Sequence, residues 1–123
     1  MLKDIIILGG QSTERLYLKR DRFKYNGKIV EVYPTYYPNV NMGNLITRHI
    51  ARYYLVGLFL RPNMSWLDFP CGSGYASELF DNVHYYGADK DEITIKYANR
   101  NYKRGFFVAQ ELELTEIMDP GQP

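Results

Sequence analysis

The stretch LDFPCGSGYASELF, residues 67–80, decides the fold because it joins an apolar segment to a helical one through a glycine-bearing turn. The residues that lead into it, MSWLDFP at 64–70, have the apolar composition of a buried strand. This predicted strand ends in the acid Asp68, and Gly72 and Gly74 follow it in the turn. A strand, an acid, a glycine turn and a helix in this order are typical of the first unit of a parallel α/β sheet.

The same alternation continues downstream. A short helix with Leu79 inward, a second strand, a helix that Asp91 caps and a third strand are predicted at residues 75–80, 84–89, 91–102 and 105–110. Right-handed crossovers between such strands predict an α/β fold with a Rossmann-like parallel sheet, βαβαβ in the order 3-2-1. Ligands of such sheets bind at the carboxyl ends of the strands.

The sequence before this region predicts a smaller β unit. Ile5-Ile6-Ile7-Leu8 reads as a short strand, and residues 22–33 contain Asn26-Gly27 between β-forming residues, which predicts a hairpin with a two-residue type I′ turn. Two prolines in YPTYYP, residues 33–38, exclude regular helix and central strand there, so we expect an extended aromatic loop.

A helix is predicted between this loop and the first strand of the parallel sheet, from Asn44 as N-cap to about Leu60 before Pro62. Helical spacing places an apolar face inward along it, formed by Ile46, Ile50, Tyr53, Tyr54, Gly57 and Leu58. Arg48 and Arg52 lie four residues apart on this helix, which usually indicates a solvated face and less often a site for an acidic ligand.

The composition excludes several classes of function but does not identify one. The 123 residues suit one small domain, and 15 Lys+Arg against 14 Asp+Glu give a net charge of +1, which argues against a dedicated nucleic-acid binder. One cysteine and two histidines offer little for a disulfide framework or a zinc site, so no metal is expected. The apolar run at Ile5–Leu8 is too short for a signal peptide or a membrane span, and we expect a cytoplasmic protein without membrane contact.

The residues at the predicted strand ends suit a nucleoside ligand. Gly72 and Gly74 carry no Cβ that would block a ligand from the backbone, and Asp89 at the end of the second strand can accept both hydroxyls of a ribose. A dinucleotide fingerprint needs a third small residue where Ser77 stands, so a NAD-dependent enzyme is disfavoured. Asp68 also fits a pyrophosphate poorly but suits an amino-acid ammonium, and an adenosine that carries an amino acid is S-adenosylmethionine (SAM).

At these residues the chain resembles a known family. LDFPCGSGYASELF and YYGADKDEITIKYANRNY, residues 85–102, resemble motif I and the ribose-binding strand of class I SAM-dependent methyltransferases. The upstream ITRHIARYYLVGLFL, residues 46–60, is similar to the helix that precedes motif I in small-molecule and sugar methyltransferases of this class. The resemblance covers roughly residues 44–110.

The resemblance implies a division of the chain and a set of cofactor contacts. Residues 1–43 would form an N-terminal hairpin and aromatic loop that act as a cap or lid, and residues 44–123 a partial SAM-binding domain. Asp68, Gly72 and Gly74 would line the methionine end of the cofactor, and Asp89 would bind the ribose. The cofactor-binding residues expected on this basis are Asp68, Pro70, Cys71, Gly72, Ser73, Gly74, Asp89, Lys90, Gln110 and Glu111.

The sequence departs from the family's pattern at two places. Pro70 replaces the first glycine of the D-x-G-x-G-x-G motif, which fixes φ and removes an N–H at that position. The acid that contacts the adenine amino group after the third strand has two candidate replacements here, Gln110 and Glu111.

No residue is assigned a catalytic role, because an acceptor can attack the sulfonium methyl in line when both ligands are held together. Cys71 has no histidine nearby in sequence to activate it and reads as a small residue at the base of the pocket. Tyr33, Tyr36 and Tyr37 lie in a loop without a core face of its own, and they are candidates for a lid or a substrate wall.

The sequence therefore leaves two possible functions. The leading one is a SAM-dependent methyltransferase acting on a small molecule or glycan, and the alternative is a non-catalytic SAM-binding or assembly module with half of the fold. Too few residues follow Asp68 for the seven-stranded sheet of the family, so we expect the strand at Trp66–Phe69 to have an open edge. The N-terminal strand or hairpin, a second copy in a homodimer or another partner is expected to cover that edge.

Overall fold

The computed structural model of the protein describes residues 4–10, 15–35 and 51–111, and these residues form a mixed α/β fold. In chain order the elements are β1 (Ile5–Gly9), β2 (Asp21–Tyr25), β3 (Lys28–Tyr33), α1 (described over 51–57), β4 (Ser65–Asp68), a 3-10 helix (Tyr75–Glu78), β5 (His84–Asp89), α2 (Glu92–Asn101) and β6 (Phe106–Ala109).

The first three strands form a sheet in the order β1-β3-β2, with β3 parallel to β1 and antiparallel to β2. Tyr25 pairs with Lys28, so Asn26 and Gly27 alone make the turn of the hairpin. Their φ angles are 49° and 78°, the positive values that a type I′ turn requires at both central positions. The predicted hairpin and the predicted N-terminal strand are both confirmed.

The remaining strands form a second sheet in which β5 is central and both pairings are parallel. The predicted α/β class with a parallel sheet is confirmed at this level. One face of the sheet belongs to the core and is lined by aromatic rings, with Tyr85 lying 5.0 Å from Trp66 and 5.6 Å from Phe107 between ring centroids.

The first crossover is shorter than the sequence predicts. It contains one 3-10 turn at Tyr75–Glu78 in place of a helix over residues 75–80. Ser77 binds the carbonyl of Gly74 twice, through its backbone N–H at 3.1 Å and through Oγ at 2.8 Å, which closes a tight turn locally. The 3-10 helix ends at Glu78, and Leu79, which was expected to point inward, is exposed.

The inward face of α1 also differs from the prediction. Tyr53 is buried as expected, but Tyr54 and Leu58 are exposed. A Cβ on Gly57 would lie 2.5 Å from the ring of Phe80, so the missing side chain lets this ring pack against the helix and sets the rotation of the helix about its axis. The proposed N-cap and the first inward positions, Asn44, Ile46 and Ile50, lie outside the described residues.

Helix α2 forms the layer between the two sheets. On one side it packs against β5 and β6, with Ile95 and Ala98 buried in the core. On the other side Lys96 donates to the carbonyl of Lys24 at 2.6 Å, and Arg100 binds Asp21 through two hydrogen bonds of 2.8 and 3.0 Å. The buried residues of both sheets consequently belong to one hydrophobic cluster.

The expectation that the N-terminal strand or hairpin pairs with the edge of β4 is wrong. Among residues 4–10, 15–35 and 51–111, β4 is an edge strand of its own sheet. The apolar face of the hairpin carries Phe23, Val30 and Val32, which are all buried in the core that α2 shares. Because these side chains are buried against the core, the hairpin forms a separate layer and does not extend the parallel sheet.

None of the helices within the described ranges has the length and apolar character needed to cross a membrane.

We expect Gly74→Ala to destabilise the protein strongly. Gly74 has φ 93°, and an added Cβ would lie 2.7 Å from the ring of Phe107 and 2.9 Å from Cβ of Ala98. Left-handed strain and overpacking together should lower the free energy of unfolding by about 2–4 kcal/mol in urea titrations. Gly72→Ala is the matched control, because Gly72 has φ 58° but open space around its missing Cβ, and it should lose only about 1 kcal/mol. Equal losses for the two variants would contradict the packing argument.

A second expectation concerns the ion pair between β2 and α2. The hydrogen bonds from Arg100 lower the pKa of Asp21 below its ordinary value of 3.8. A carboxyl whose pKa is lower in the folded state stabilises the fold above its unfolded pKa, and this contribution is lost as the pH falls through the folded value. Asp21→Asn should therefore cost about 1 kcal/mol at pH 7, and the difference from wild type should shrink as the pH falls below about 4. A difference in the free energy of unfolding between variant and wild type that stays constant from pH 7 to pH 2 would contradict this role of the ion pair.

Candidate functional site

A cavity of about 520 Å³ opens at the carboxyl ends of β4 and β5. Its volume lies in the range of roughly 300–1,000 Å³ that small-molecule sites occupy, and its position matches the ligand-binding edge of parallel sheets. It is lined by Arg15, Leu16, Arg52, Tyr53, Phe69, Pro70, Cys71, Gly72, Ser73, Tyr75, Asp89, Lys90 and Glu111.

The glycine turn is tied to the neighbouring strand at this edge. The N–H of Cys71 donates to the carbonyl of Ala88 at 2.9 Å, and the N–H of Gly72 donates to Oδ2 of Asp89 at 3.0 Å. Gly72 has a positive φ, and no atom lies within 4 Å of the place where its Cβ would stand. The backbone of the turn is thus held firmly and remains open at Gly72.

Gly74 has a different role from the one implied by the family resemblance. It does not line the cavity, and its missing Cβ makes room for Phe107 and Ala98 behind the turn. The two glycines of the turn therefore have different roles. Gly72 leaves space at the cavity, and Gly74 allows close packing against α2 and β6.

Asp89 is the buried acid of the site, with only 3% of its surface exposed. In addition to the bond from Gly72, its Oδ1 accepts a hydrogen bond from the N–H of Asp91 at 3.1 Å. Asp91 in turn caps α2 by accepting from the N–H groups of Ile93 and Thr94. The carboxylate of Asp89 is therefore held by the backbone of the glycine turn on one side and by the entry to α2 on the other.

The segment before β2 brings a cation to this acid. Arg15 lies 3.7 Å from Oδ1 of Asp89 and 3.3 Å from Oδ2 of Asp91. The segment is fixed in place because Ser73 Oγ donates to the carbonyl of Leu16 and the hydroxyl of Tyr17 contacts that of Thr94 at 3.0 Å. One wall of the cavity thus comes from a part of the chain that is distant in sequence from the glycine turn.

Asp68 stands behind the cavity wall, bound by two tyrosines. The hydroxyl of Tyr85 donates to Oδ2 at 2.6 Å, and that of Tyr53 donates to the same oxygen at 3.1 Å. Burial raises the pKa of Asp68 above its ordinary value, although both hydroxyls and the charge of Arg52 oppose that rise. The two tyrosine hydroxyls stay protonated because burial also raises their pKa values. Neither hydroxyl uses Oδ1, so that oxygen retains its capacity for another donor.

Cys71 is placed as a packing residue at the base of the cavity. Its side chain is buried, and burial together with the nearby carboxylates of Asp68 and Asp89 raises the pKa of the thiol to about 12. A thiol with so high a pKa is protonated at neutral pH and is a poor nucleophile. This placement agrees with the interpretation of Cys71 as a small residue that fills the pocket base.

The other residues named from the sequence fall into three groups. Pro70, Ser73, Lys90 and Glu111 line the cavity, and the peptide bond between Phe69 and Pro70 is cis. Gln110 does not line it, and its backbone N–H donates to the carbonyl of Asp89 at 2.8 Å. Tyr36 and Tyr37 lie outside the described residues.

Tyr33 is placed away from the cavity, at the end of β3. Its hydroxyl donates to Glu31 at 2.7 Å, and the guanidinium of Arg20 lies 5.4 Å from its ring centroid. Within the described residues, the aromatic wall of the cavity comes instead from Tyr53, Phe69 and Tyr75.

Six lining residues were not assigned to the site from the sequence: Arg15, Leu16, Arg52, Tyr53, Phe69 and Tyr75. Arg52 and Tyr53 lie on the helix that precedes the glycine turn, which could have pointed to the site. Helical spacing instead indicated a solvated position for Arg52 and a core position for Tyr53. For Arg15 and Leu16 no local pattern was available, because only the tertiary fold brings their segment to the turn.

The described residues include no group of three or more His, Cys, Asp or Glu side chains arranged to hold a metal ion. Comparisons of the chain with protein-family models, with curated proteins and with solved structures gave no match.

We expect Asp68→Asn to separate stability from ligand binding. An asparagine oxygen can still accept from Tyr53 and Tyr85, while the substitution removes a buried charge whose raised pKa shows that ionisation is unfavourable. A carboxyl with a raised folded pKa lowers stability at neutral pH, so the free energy of unfolding of the variant at pH 7 should equal or exceed that of wild type.

Binding of a cationic ligand should weaken by about tenfold in the same variant, because a neutral amide attracts an ammonium less than a carboxylate does. Urea unfolding and calorimetric titration of one preparation measure the two effects. A large loss of stability would mean that Asp68 serves mainly to hold the tyrosines.

Proposed function

We propose that the protein binds S-adenosylmethionine in the cavity at the ends of β4 and β5 and belongs to the Rossmann-like methyltransferase type of α/β protein. The observation that carries the proposal is the link between Gly72 and Asp89. A glycine with open space at the cavity is bonded to a buried acid at the end of the adjacent strand, which brings together an approach to the backbone and an acceptor for a ribose.

Asp89 has the capacity to bind a diol. Gly72 and Asp91 each donate one hydrogen bond to a different oxygen of its carboxylate. A carboxylate has about four acceptor sites, so both oxygens keep room for a ligand hydroxyl. Arg15 lies 3.7 Å from Oδ1 of Asp89, and hydrogen bonds that a carboxylate accepts are charge-assisted.

The opposite end of the cavity suits the cationic part of the ligand. The rings of Tyr53 and Tyr75 lie 5.6 Å apart at the cavity wall, and Asp68 stands behind this wall with Oδ1 free of the tyrosine hydroxyls. An aromatic face attracts a cation, and a carboxylate attracts an ammonium.

When bound, S-adenosylmethionine supplies an electrophilic methyl group on its sulfonium. The residues of the chain would contribute by position: Asp89 and the glycine turn fix the nucleoside, and the aromatic wall orients the acceptor and limits the access of water. A small-molecule or glycan acceptor is favoured because the net charge of +1 is unlike the strongly basic charge of a typical nucleic-acid binder.

One observation favours the alternative of a SAM-binding assembly module. The second face of the parallel sheet carries a row of apolar side chains in register, Leu67, Tyr86 and Phe106, that are 51%, 46% and 65% exposed in the described structure. Parallel sheets usually have both faces covered. A partner on this face would give the domain a role in assembly.

The decisive experiment is calorimetric titration of the protein with S-adenosylmethionine and S-adenosylhomocysteine. We expect both to bind, and Asp89→Asn to weaken binding by about 10-fold to 100-fold, the loss typical of hydrogen bonds to a charged acceptor. Asp81→Asn is the matched control, because Asp81 is an exposed acid that pairs with Arg104 away from the cavity.

Failure of the wild-type protein to bind either compound would overturn the cofactor assignment. Binding of NAD in their place would support the dinucleotide alternative, and equal losses for Asp89→Asn and Asp81→Asn would place the ligand elsewhere on the protein.

A further inference from the structure

The free edge of β4 is a feature of the fold that neither the cavity nor the core uses. Within the described part of the chain, β4 pairs with β5 on one side and with no strand on the other. The N–H of His84 in β5 donates to the carbonyl of Met64 at 2.9 Å. Because the backbone groups of successive residues point to alternate sides of a strand, the N–H and C=O of Ser65 and Leu67 point away from β5.

This edge lacks the features that usually keep edge strands from pairing, which are lysines, prolines and bulges. The sequence of β4 is Ser-Trp-Leu-Asp, and its register with β5 runs one to one without a bulge. Its one charged residue, Asp68, accepts hydrogen bonds from Tyr53 and Tyr85. The carboxylate is therefore held toward the interior and does not protect the edge.

One flank of α1 extends this open edge with apolar side chains. The helix lies over β4, with the ring of Tyr53 5.8 Å from that of Trp66. Arg52 lines the cavity over the ends of β4 and β5, and a rotation of 100° per residue places Tyr54 and Leu58 on the opposite flank. Tyr54 and Leu58 are 69% and 78% exposed and stand on the side of the free edge.

The free groups of β4 are complementary to those of a second β4. In an antiparallel pair related by a twofold axis at Trp66, Ser65 of one copy lies opposite Leu67 of the other, and each such pair exchanges two backbone hydrogen bonds. Four hydrogen bonds form without any other sequence. The same twofold axis brings the exposed flanks of the two α1 helices together.

The apolar surface on this side suits a stable dimer. The exposed large side chains beside the edge are Tyr54, Leu58, Met64 and Leu67. At roughly 100 Å² for each partly exposed large side chain, they offer about 400 Å². Each partner contributes about 800 Å² to a typical stable interface, of which somewhat more than half is non-polar.

We infer that two copies of the chain pair through the free edges of β4, with the strands antiparallel and with Tyr54 and Leu58 of each α1 packed against the other α1. The two parallel sheets then become one six-stranded sheet. The inference does not depend on the proposed binding of S-adenosylmethionine, because Ser65 and Leu67 do not line the cavity.

Sedimentation equilibrium of two variants at Ser65 tests the pairing of the strands. Ser65→Pro removes an N–H that β5 does not use, and proline is tolerated at the first residue of a strand. We expect it to weaken the dimer by about tenfold or more, because the hydrogen bond is lost twice in a symmetric pair. Ser65→Val is the matched control, since it keeps the N–H, and it should dimerise like wild type.

A second pair of variants tests the contact between the helices. Leu58→Glu places a charge in the contact twice and should also weaken the dimer by about tenfold or more. Leu55→Glu is the matched control, because Leu55 is 64% exposed but lies three residues after Arg52 and shares its side of the helix. It should change the dissociation constant by less than about twofold. Thermal unfolding verifies that each variant keeps the fold.

Hydrogen exchange gives a readout for wild type alone. The amides of Ser65 and Leu67 should exchange slowly at high protein concentration and fast at low concentration. The amide of Trp66 points toward β5 and should be protected at both concentrations.

A wild-type protein that stays monomeric up to about 100 μM would overturn the inference. So would a dimer that Ser65→Pro and Leu58→Glu leave intact, or one that each control variant weakens as much as its partner. Losses confined to Ser65→Pro and Leu58→Glu, together with concentration-dependent protection of Ser65 and Leu67, support it.

Discussion

The carboxylate of Asp89 is the group around which the rest of the structure is arranged, because a charge removed from water has to be matched by donors. Two backbone N–H donors come from the glycine turn at Gly72 and from the entry of α2 at Asp91, and the N-terminal segment adds the cation of Arg15, which forms an ion pair at 3.7 Å. Each of these three contacts helps to fix the position of the element that carries it. The end of β5, the start of α2 and the wall of the cavity are consequently set by one acid.

Local signals were sufficient to predict much of the fold. The Asn26-Gly27 turn, the alternation that yields the parallel sheet and the Asp91 cap of α2 all follow from residues close in sequence. The first crossover and the rotation of α1 were predicted wrongly because each depends on a contact beyond the helical pattern. Ser77 closes a tight turn on Gly74, and the ring of Phe80 occupies the space at Gly57.

In the candidate site, too, residues set by local sequence could be predicted and residues placed by tertiary contacts could not. Seven of the expected residues line the cavity, namely Pro70, Cys71, Gly72, Ser73, Asp89, Lys90 and Glu111, and all lie at or directly after a predicted strand end. Arg15 and Leu16 could not be predicted, because the segment that carries them reaches the turn only through tertiary contacts such as that of Tyr17 with Thr94. Asp68 was expected at the ligand, but whether a strand-end acid faces a cavity or a pair of tyrosines depends on the helix that packs above it.

The origin of the cavity wall has a thermodynamic consequence. Arg15 and Leu16 lead directly into β2, and β2 is bound to α2 through Asp21 and Arg100. A ligand that requires this wall can bind only to molecules in which the β1-β3-β2 sheet is docked on α2, so its binding free energy is added to that docking equilibrium. Occupancy of the cavity should therefore slow hydrogen exchange in the hairpin, which lies in another layer of the molecule, and should do so without any direct contact between the hairpin strands and the ligand.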